Sequence, residues 1–430
     1  MALHRRFTWL ALAGLVPVVL WPGAWTIAAT LGVLLALAGL DVALAASPRA
    51  VVVERSIPRS VRLGEPATAH LYLRNTARRR MRGSVRDGWQ PSAGATGTRF
   101  ALDLPVGERR GFPIGLLPVR RGDLAVHHTT VRSTGPLGLA ARQSTHASAG
   151  TLRVLPPFHA KRHLPSKLQR LRELDGRAAI QVRGAGTEFD SLRDYVRGDD
   201  VRSIDWRATA RRQNVVVRTW RPERDRRVVI VLDTSRTSAA RIADEPRLDT
   251  GIEASLLLAV LAERGGDRVD FLAYDRRPRA RVESASKGVL LTQLVESMAP
   301  LSPELVEADF SGLPAQVRAI STHRSLLVLL TALDSGAVEE GLLPILPALT
   351  AQHVVVIAAV RDPELDARSR DVSDAAAVYR AAAAARALQE REALKAQLRA
   401  VGAEVVDAPP QELPPLLADT YIRLKATGRL

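Results

Sequence analysis

The sequence predicts a multidomain membrane protein with a transmembrane helical hairpin, a β-sandwich of the immunoglobulin-like type and a C-terminal α/β domain of the Rossmann type. Three observations lead to this fold class. The chain begins with a long, almost uncharged run, continues with short strands separated by turn residues, and ends with alternating buried-type strands and helices. We place the boundaries at residues 1–48, 49–158, 159–226 and 227–430, the third segment being a connecting helix followed by a motif-rich stretch.

Length, charge and cysteine content narrow the class further. A chain of 430 residues is too long for one ordinary core. The chain has 61 Lys and Arg against 45 Asp and Glu, a net charge of +16. This excess of basic residues favours binding to an anionic membrane surface or an acidic partner. The alternative explanation is a GC-rich genome. No cysteine is present, which excludes disulfides, thiolate metal sites and cysteine nucleophiles. Basic residues are interleaved with acidic ones and form no aromatic-studded stripe, so we expect no nucleic-acid binding.

The N-terminal run predicts the hairpin. Between residues 7 and 46 the only ionisable side chain is Asp41, and the run breaks at Trp-Pro-Gly-Ala-Trp, residues 21–25. The second half, residues 25–46, is long enough to cross a bilayer, which takes about 20 apolar residues. The first half, residues 7–21, is short for a span unless the bilayer thins locally.

Charged flanks orient the hairpin. Arg5 and Arg6 precede it, Arg49 and Arg55 follow it, and no charge occupies the turn. This distribution predicts a protein of the bacterial cytoplasmic membrane with its soluble domains in the cytoplasm. The alternative is a cleaved signal peptide with a small-residue site at 43–45, although such peptides usually have one shorter apolar region. For Asp41, near the end of the second span, we expect solvation at the interface rather than a functional intramembrane charge.

Residues 51–158 read as a β domain. Alternating or apolar runs lie at 51–53, 67–73, 100–104, 111–117, 124–131 and 152–155, with Gly, Pro and Asp between them. Regular short strands of this kind predict the sandwich. The basic run at residues 78–80 is expected at a hairpin tip, either as a solvated loop or against anionic lipid.

The connecting segment combines a helix and a dense motif. Residues 161–177 carry leucines at helical spacing. Charged residues then alternate with large apolar ones, an arrangement that fits either a segment clipped to a domain by Arg–carboxylate pairs or a partner-docking surface. The residues of the motif are Gly186, Glu188, Phe189, Arg193, Tyr195, Gly198, Asp199, Asp200, Arg202, Asp205, Trp206 and Arg211.

From residue 227 the chain alternates strands and helices. Strands are predicted at 228–232, 269–273, 326–330 and 354–360, and helices at 248–263, 289–298, 313–320, 338–349, 375–401 and 413–424. Ser373 is expected to cap the long Ala-rich helix and Gly402 to close it. This alternation predicts a parallel, doubly wound sheet with its site at the carboxyl ends of the strands.

Asp233-Thr-Ser235-Arg-Thr237 follows the first of these strands. A carboxylate and two hydroxyls at alternate positions offer hard oxygen ligands to Mg²⁺. The run is also close to the Asp-x-Asp-x-Thr of aspartyl-phosphate phosphotransferases, but Ser235 replaces the general acid. No Walker A sequence, Gly-x-Ser-x-Gly elbow or His-Glu-x-x-His occurs, so we expect no enzyme.

From about Arg120 to the C-terminus the sequence resembles the bacterial membrane proteins called domain of unknown function 58, whose C-terminal half is von Willebrand A-like. The resemblance lies in Arg-Gly-Asp at 121–123, Gly-Pro-Leu-Gly-Leu at 135–139 and the stretch at 186–211. It implies a metal site that also takes a Thr and an Asp from two later loops. Ala308 and Ala332 stand at those positions here, which leaves a degenerate Mg²⁺ site at Asp233, Ser235 and Thr237, with Asp309 or Asp334 as substitutes.

The same resemblance implies a partner. Members of the family resemble partners of MoxR-type AAA+ ATPases, so the chain is expected to act as a membrane-anchored adaptor or scaffold in chaperone-like assembly or maturation of client proteins. Arg236, inside the loop that follows the first α/β strand, is expected to supply positive charge to an acidic surface of that ATPase. The alternatives are a metal-dependent adhesion-type ligand-binding module and an uncharacterised hydrolase.

Overall fold

The computed structural model describes residues 2–181, 188–196, 199–212, 214–221, 226–283 and 288–430. These residues form two compact units, Met1–Pro157 and Phe158–Leu430. The apolar N-terminal segment therefore belongs with the β domain, and the connecting segment belongs with the α/β domain. The chain is thus multidomain, as predicted.

The first unit begins with three helices: α1 (Arg5–Ala13), α2 (Leu15–Leu20) and α3 (Ala24–Leu44). In the described part of the chain, α3 is the one helix long and apolar enough to cross a membrane, which is consistent with membrane anchoring. The predicted first span is instead divided at Gly14, between α1 and α2. The pair of spans is therefore not confirmed.

The helical segment leaves the β domain and returns to the same place. Gly14 lies against α3 so closely that a Cβ there would be 2.9 Å from the Cγ2 of Thr30. Before α1, Leu3 pairs with Ala140 in an antiparallel bridge. After most of α3, the carboxylate of Asp41 accepts a hydrogen bond from the N–H of the same Ala140, at 2.9 Å. Both ends of the segment are therefore fixed to one end of the β domain.

The β domain is a two-sheet sandwich. One sheet has the order β1-β9-β8-β5-β6, with β3 beside β9, and the other has the order β2-β4-β7. Side chains from both sheets share one buried core, which confirms that these strands form a single β unit. The strands are β1 (Ala2–Leu3), β2 (Val51–Ser56), β3 (Ser60–Arg62), β4 (Ala67–Asn75), β5 (Met81–Trp89), β6 (Arg99–Leu104), β7 (Arg109–Leu116), β8 (Gly122–Thr134) and β9 (Ala140–Leu155).

Two details of this domain differ from the prediction. Strands β3 and β5 were not predicted. The basic run at residues 78–80 is not a hairpin tip, because β4 and β5 belong to different sheets and the run crosses between them. In that crossing, Arg79 donates a hydrogen bond of 2.9 Å to the backbone oxygen of Leu44 at the end of α3, and Arg80 pairs with Asp103 at 2.6 Å.

A buried ion pair joins the two sheets. Arg55 of β2 makes two hydrogen bonds, of 2.6 and 2.5 Å, with the carboxylate of Asp87 in β5. The same guanidinium also donates to the hydroxyls of Thr129 and Ser148 at 2.7 and 2.9 Å. Because Asp87 is buried, this charge is tolerated only with a well-placed partner. The network therefore fixes the sheets relative to each other.

The second unit is built around one sheet of the order β16-β15-β12-β17-β18-β19. Neighbouring strands from β15 to β19 are parallel, and β16 is antiparallel at the edge. The strands of the whole unit, including the separate pairs β10–β11 and β13–β14, are β10 (Glu188–Asp194), β11 (Val216–Arg221), β12 (Arg227–Asp233), β13 (Arg241–Ile242), β14 (Glu245–Pro246), β15 (Arg268–Tyr274), β16 (Pro278–Val282), β17 (Leu326–Leu330), β18 (Val354–Val360) and β19 (Glu404–Ala408). Its helices are α4 (Leu164–Gln181), α5 (Trp206–Arg212), α6 (Arg247–Arg264), α7 (Leu290–Met298), α8 (Leu313–Ile320), α9 (Leu346–Thr350), α10 (Pro363–Arg368), α11 (Ala375–Ala400) and α12 (Leu413–Ala426).

Helices cover both faces of this sheet. Val229 and Val231 of β12 point into a core shared with α8, α9 and α11. On the other face, Leu232 lies against Gly251 of α6. This arrangement confirms the predicted strand–helix alternation around a parallel sheet.

Three predictions about the α/β elements need correction. Strands β16 and β19 were not predicted. The helix expected at 338–349 is a π-helix at Ala337–Leu342 followed by the short α9. Asp374, not Ser373, caps α11, because its carboxylate accepts the N–H of Ala377 at 2.6 Å. Gly402, with a φ of 92°, does follow the end of that helix.

Candidate functional site

Asp233 is the centre of the predicted site at the carboxyl edge of the sheet. It ends β12 and is fully buried. One carboxylate oxygen accepts the backbone N–H of Ser235 at 2.8 Å, and the other accepts the hydroxyls of Thr331 and Thr237 at 2.6 and 3.3 Å. The structure therefore brings Asp233, Ser235 and Thr237 together as predicted, and it adds Thr331 from the end of β17.

Burial dominates the electrostatics of this cluster. It raises the pKa of the Asp233 carboxyl above the ordinary range, against the hydrogen bonds from Thr331 and Ser235. The guanidinium of Arg247 lies nearby and donates to the backbone oxygen of Thr237 at 2.7 Å, and burial lowers its pKa. A cavity of about 10 Å³ between these groups has room for roughly one water molecule. It has no room for an organic substrate.

The donor set does not suit a divalent metal ion. Asp233 is the one carboxylate in the cluster, and the hydroxyl oxygens of Ser235 and Thr237 lie 3.1 Å apart and hydrogen-bond to each other. Asp309 accepts the N–H of Ser311 at 3.0 Å, and Asp334 lies exposed in its loop. Within the described ranges, neither proposed substitute hydrogen-bonds to the cluster, and no three His, Asp or Glu side chains converge as a metal site. Mg²⁺ is usually held by one or two carboxylates, with several waters completing an octahedral shell. Here both oxygens of the single carboxylate already accept hydrogen bonds, and the cavity beside it has room for about one water, so the residues present do not fit the ion.

A second carboxylate at this edge was missed by the sequence analysis. Asp275 is buried just after β15. It accepts the N–H groups of Arg276 and Arg277 at 2.5 and 3.2 Å and the hydroxyl of Thr234 at 3.3 Å. The guanidinium of Arg279 lies 3.6 Å away. The signal was available, because Asp275 follows a buried strand just as Asp233 does. Its oxygens are occupied by these donors, so it serves to hold the loops together.

Arg236 has an ion-pair partner within the chain, and its predicted contact with a partner protein stays a prediction. Its guanidinium pairs with the carboxylate of Glu307 from the facing loop, and both side chains are exposed. The positive charge that we expected to meet an acidic partner is therefore balanced within the chain. Arg276 adds a hydrogen bond of 3.0 Å to the backbone oxygen of Glu307.

The family motif forms a small substructure of its own. β10 and β11 pair antiparallel, and the segment between them carries a 3₁₀ turn at Val201–Ser203 and helix α5. Gly186 and Gly198 lie outside the described residues. Glu188 and Phe189 belong to β10, where the backbone alone is described.

Two ion pairs hold this substructure. Arg193 donates hydrogen bonds of 2.8 and 2.6 Å to the two carboxylate oxygens of Asp199. Asp199 also accepts the N–H of Val196 at 2.9 Å. The hydrogen bond from the Arg193 guanidinium, followed by that from the Val196 N–H, lowers the pKa of Asp199. This bidentate pair closes the turn that follows β10.

Asp205 holds the second half of the motif. It accepts the N–H of Ala208 in the first turn of α5 at 2.9 Å, and the guanidinium of Arg218 in β11 at 2.8 Å. These hydrogen bonds, that of Ala208 first, lower its pKa. Asp200 in turn accepts the N–H of Arg202 at 2.9 Å and so caps the 3₁₀ turn. The charged residues of the motif therefore stabilise its own backbone.

Four large side chains in the described part of the motif stretch are exposed. Tyr195 is 36% exposed, Val196 62%, Val201 65% and Trp206 68%. Of the two interpretations of the motif, the clip therefore depends on the Arg–carboxylate pairs and not on burial of Trp206. We call these four side chains the motif surface. Arg202 and Arg211 are exposed in the same substructure.

Two sequence relatives match part of the chain. An uncharacterized protein of Mycobacterium tuberculosis and one of Mycobacterium bovis are each 27% identical over 195 residues. The aligned region covers 45% of this chain and 60% of each relative, so the chain spans less than two thirds of their length.

Solved structures give weaker likenesses. A CARDB domain from Pyrococcus furiosus is 16% identical, with a TM-score of 0.17, over 24% of this chain and 86% of that domain. A complex of zinc 2-glycoprotein and prolactin inducible protein from human seminal plasma is 18% identical, with a TM-score of 0.20, over 24% of this chain and 92% of the matched one. At these TM-scores neither structure defines the fold of the chain.

The family assignment is clearer. Residues 191–414 match the family described as Protein of unknown function DUF58. The match covers more than half of the chain and includes the described motif from Arg193 onwards, the carboxyl edge at Asp233 and most of the α/β sheet. The chain therefore belongs to the DUF58 family.

Proposed function

We propose that this protein is a membrane-anchored adaptor or scaffold that works with a MoxR-type AAA+ ATPase in chaperone-like assembly or maturation of client proteins. The observation that carries the proposal is the motif surface. Trp206 and Val201 are exposed on a substructure that the Arg193–Asp199 and Asp205–Arg218 ion pairs hold in place. The class of the partner rests on the family resemblance.

The motif surface has the properties of a docking site. Exposed tryptophan and tyrosine side chains are the residues that most often dominate the binding energy of protein interfaces. The Arg193–Asp199 and Asp205–Arg218 pairs hold the surrounding backbone in place, so less conformational freedom is lost when a partner binds. Aromatic and apolar contacts would supply affinity, while exposed Arg202 and Arg211 would favour an acidic partner.

The anchor is the second part of the proposal. Helix α3 has 21 residues and is therefore about 31 Å long, the thickness of a bilayer core. The bridge between Leu3 and Ala140 and the bond from Ala140 to Asp41 fix both ends of the helical segment to one end of the β domain. A segment that leaves and returns in this way supports a hairpin with both flanks on the same side, and the basic flanks favour the cytoplasm.

The topology of each unit supports a finer fold assignment. Parallel strands with one antiparallel edge strand and a polar loop after the central β12 support a von Willebrand A-like domain, and the two-sheet sandwich supports an immunoglobulin-like one. A metal-dependent adhesion module is less favoured, because Asp233 is the one carboxylate in its cluster. A hydrolase is also less favoured, because the cavity beside Asp233 has a volume of about 10 Å³.

The test is capture of the ATPase encoded beside this protein by the full chain in mild detergent. We compare the wild type with Trp206→Ala and use Tyr379→Ala, an 80% exposed aromatic on α11, as the matched control. Loss of a hot-spot tryptophan is expected to weaken capture at least tenfold, because it costs about 2 kcal/mol or more. The control is expected to keep it.

Three outcomes would contradict the proposal or part of it. If capture is unchanged in Trp206→Ala, the motif surface is not the binding site of the ATPase. If capture is lost in Arg236→Glu alone, the ATPase binds at the carboxyl edge of the sheet instead. No capture with ATP, with ADP or without nucleotide would sink the adaptor function itself. Equal melting temperatures of the variants establish that any loss is a loss of binding.

A further inference from the structure

Asp41 fixes the end of α3 to a loop of the β domain. The carboxylate of Asp41 is fully buried and accepts the N–H groups of Leu137, Leu139 and Ala140 at 2.7, 2.7 and 2.9 Å. A Cβ at Gly135 would lie 2.2 Å from this carboxylate, so only glycine allows the approach. The loop at 135–140 is therefore held beside the C-terminal end of the apolar helix. Asp41 is not solvated at the interface, which corrects the prediction.

Arginine side chains surround this junction. Arg79 donates to the backbone oxygens of Leu44 and Ala43 at 2.9 and 3.4 Å, where a cation favourably meets the negative end of a helix. The guanidinium of Arg6 lies over Gly138, 3.1 Å from the position of a Cβ. The helix therefore leaves the β domain between basic side chains.

Within the described residues, no carboxylate balances the charge of these arginines. Arg5, Arg6, Arg49, Arg78 and Arg79 are all exposed, and we call them the arginine collar. Among the residues that the structure describes, none of the five has a carboxylate within ion-pair distance. Arg80, next to the collar, is by contrast paired with Asp103.

We propose that the arginine collar binds the headgroups of anionic phospholipids and seats the β domain on the membrane surface. The collar adjoins the end of the apolar helix, and Leu137 at the tip of the 135–140 loop is 44% exposed beside it. Arginine binds phosphate oxygens in a bidentate manner, and clusters of basic residues next to a span are attracted to anionic lipid. This inference rests on the anchoring part of the proposed function and is independent of the ATPase.

The test uses the full chain in a neutral detergent, titrated with short-chain phosphatidylglycerol or phosphatidylcholine in a calorimeter. The collar variant replaces Arg5, Arg49 and Arg78 with Gln, because none of these three side chains hydrogen-bonds to another described residue. The control variant removes the same charge from exposed arginines farther along the sandwich, Arg59, Arg86 and Arg99.

We expect the wild type and the control variant to prefer phosphatidylglycerol, and the collar variant to bind it about 100-fold more weakly. Each basic residue near an anionic surface contributes about 1 kcal/mol, and 1.4 kcal/mol is a factor of ten. Equal affinity for both lipids, or equal loss in the two variants, would overturn the proposal. Carbonate washing of membranes separates this failure from that of the anchor. A wild-type chain released by carbonate would defeat the anchoring itself, whereas a retained chain without lipid preference would defeat the collar alone.

Discussion

Replacing Asp41 with Ala removes the acceptor of three backbone N–H groups at once. Two of them, those of Leu139 and Ala140, are buried, so water cannot replace the lost acceptor. Each buried N–H left without a partner costs about 1–3 kcal/mol, so the local stability of the loop should fall by about 4 kcal/mol. The amide protons of these two residues should then exchange with solvent about 1,000-fold faster. Hydrogen exchange followed by mass spectrometry on the full chain in detergent measures this.

The same contact can be tested from its other side. Gly135→Ala should reproduce the effect, because a Cβ there would overlap the Asp41 carboxylate. Gly39→Ala is the matched control, since nothing lies within 4 Å of a Cβ at that position of α3. Unchanged exchange at Leu139 and Ala140 in the Asp41→Ala variant would refute the reasoning, as would an equal effect of the control.

Three further predictions concern the two folded units. Asp87→Ala should lower the free energy of unfolding by about 3–5 kcal/mol in denaturant titrations, because Arg55 stays buried and unpaired; a cost no greater than that of removing the exposed Asp103 would contradict this. Asp233→Asn should raise the melting temperature at neutral pH. Burial raises the folded pKa of Asp233, so stability is lost as pH rises from the unfolded pKa of about 3.9 towards the folded one, and the gain should vanish near pH ~4. Calorimetry with Mg²⁺ should show a dissociation constant weaker than ~10 µM, about −6.8 kcal/mol, and tighter binding would contradict the donor-set reasoning.

The four central strands of the α/β sheet were predictable because they are buried on both faces, whereas β16 and β19 at its edges are less buried. The run at 326–330 is entirely apolar, and β17 begins and ends at the same residues. β5 was missed for the opposite reason. It contains Gly83, Asp87 and Gly88, which are typical of turns. The long-range pair of Asp87 with Arg55 accommodates the charge inside the sandwich, and no local pattern shows such a pair.

Among the site residues, too, the local sequence pattern predicted some and could not predict those that depend on long-range contacts. Asp233 was predicted because a polar residue after a buried strand marks the carboxyl edge, whereas Thr331 joins it only through the register of β12 and β17. Asp41 was misjudged because its donors lie almost a hundred residues farther along the chain. The exposure of Trp206 could not be predicted, because large aromatic side chains are on average highly buried and its exposure depends on the whole substructure.

The most direct test of the adaptor proposal is a contact measurement at the motif surface. A photo-reactive phenylalanine analogue replaces Val201 in the full chain, which is expressed in its own membrane together with the adjacent ATPase and irradiated. The same analogue at Tyr379, an exposed position outside the motif, is the control. We expect a covalent product with the ATPase from position 201 and none from position 379. A product from the control position alone, or none from either position while the chain remains in the membrane, would contradict docking at the motif surface.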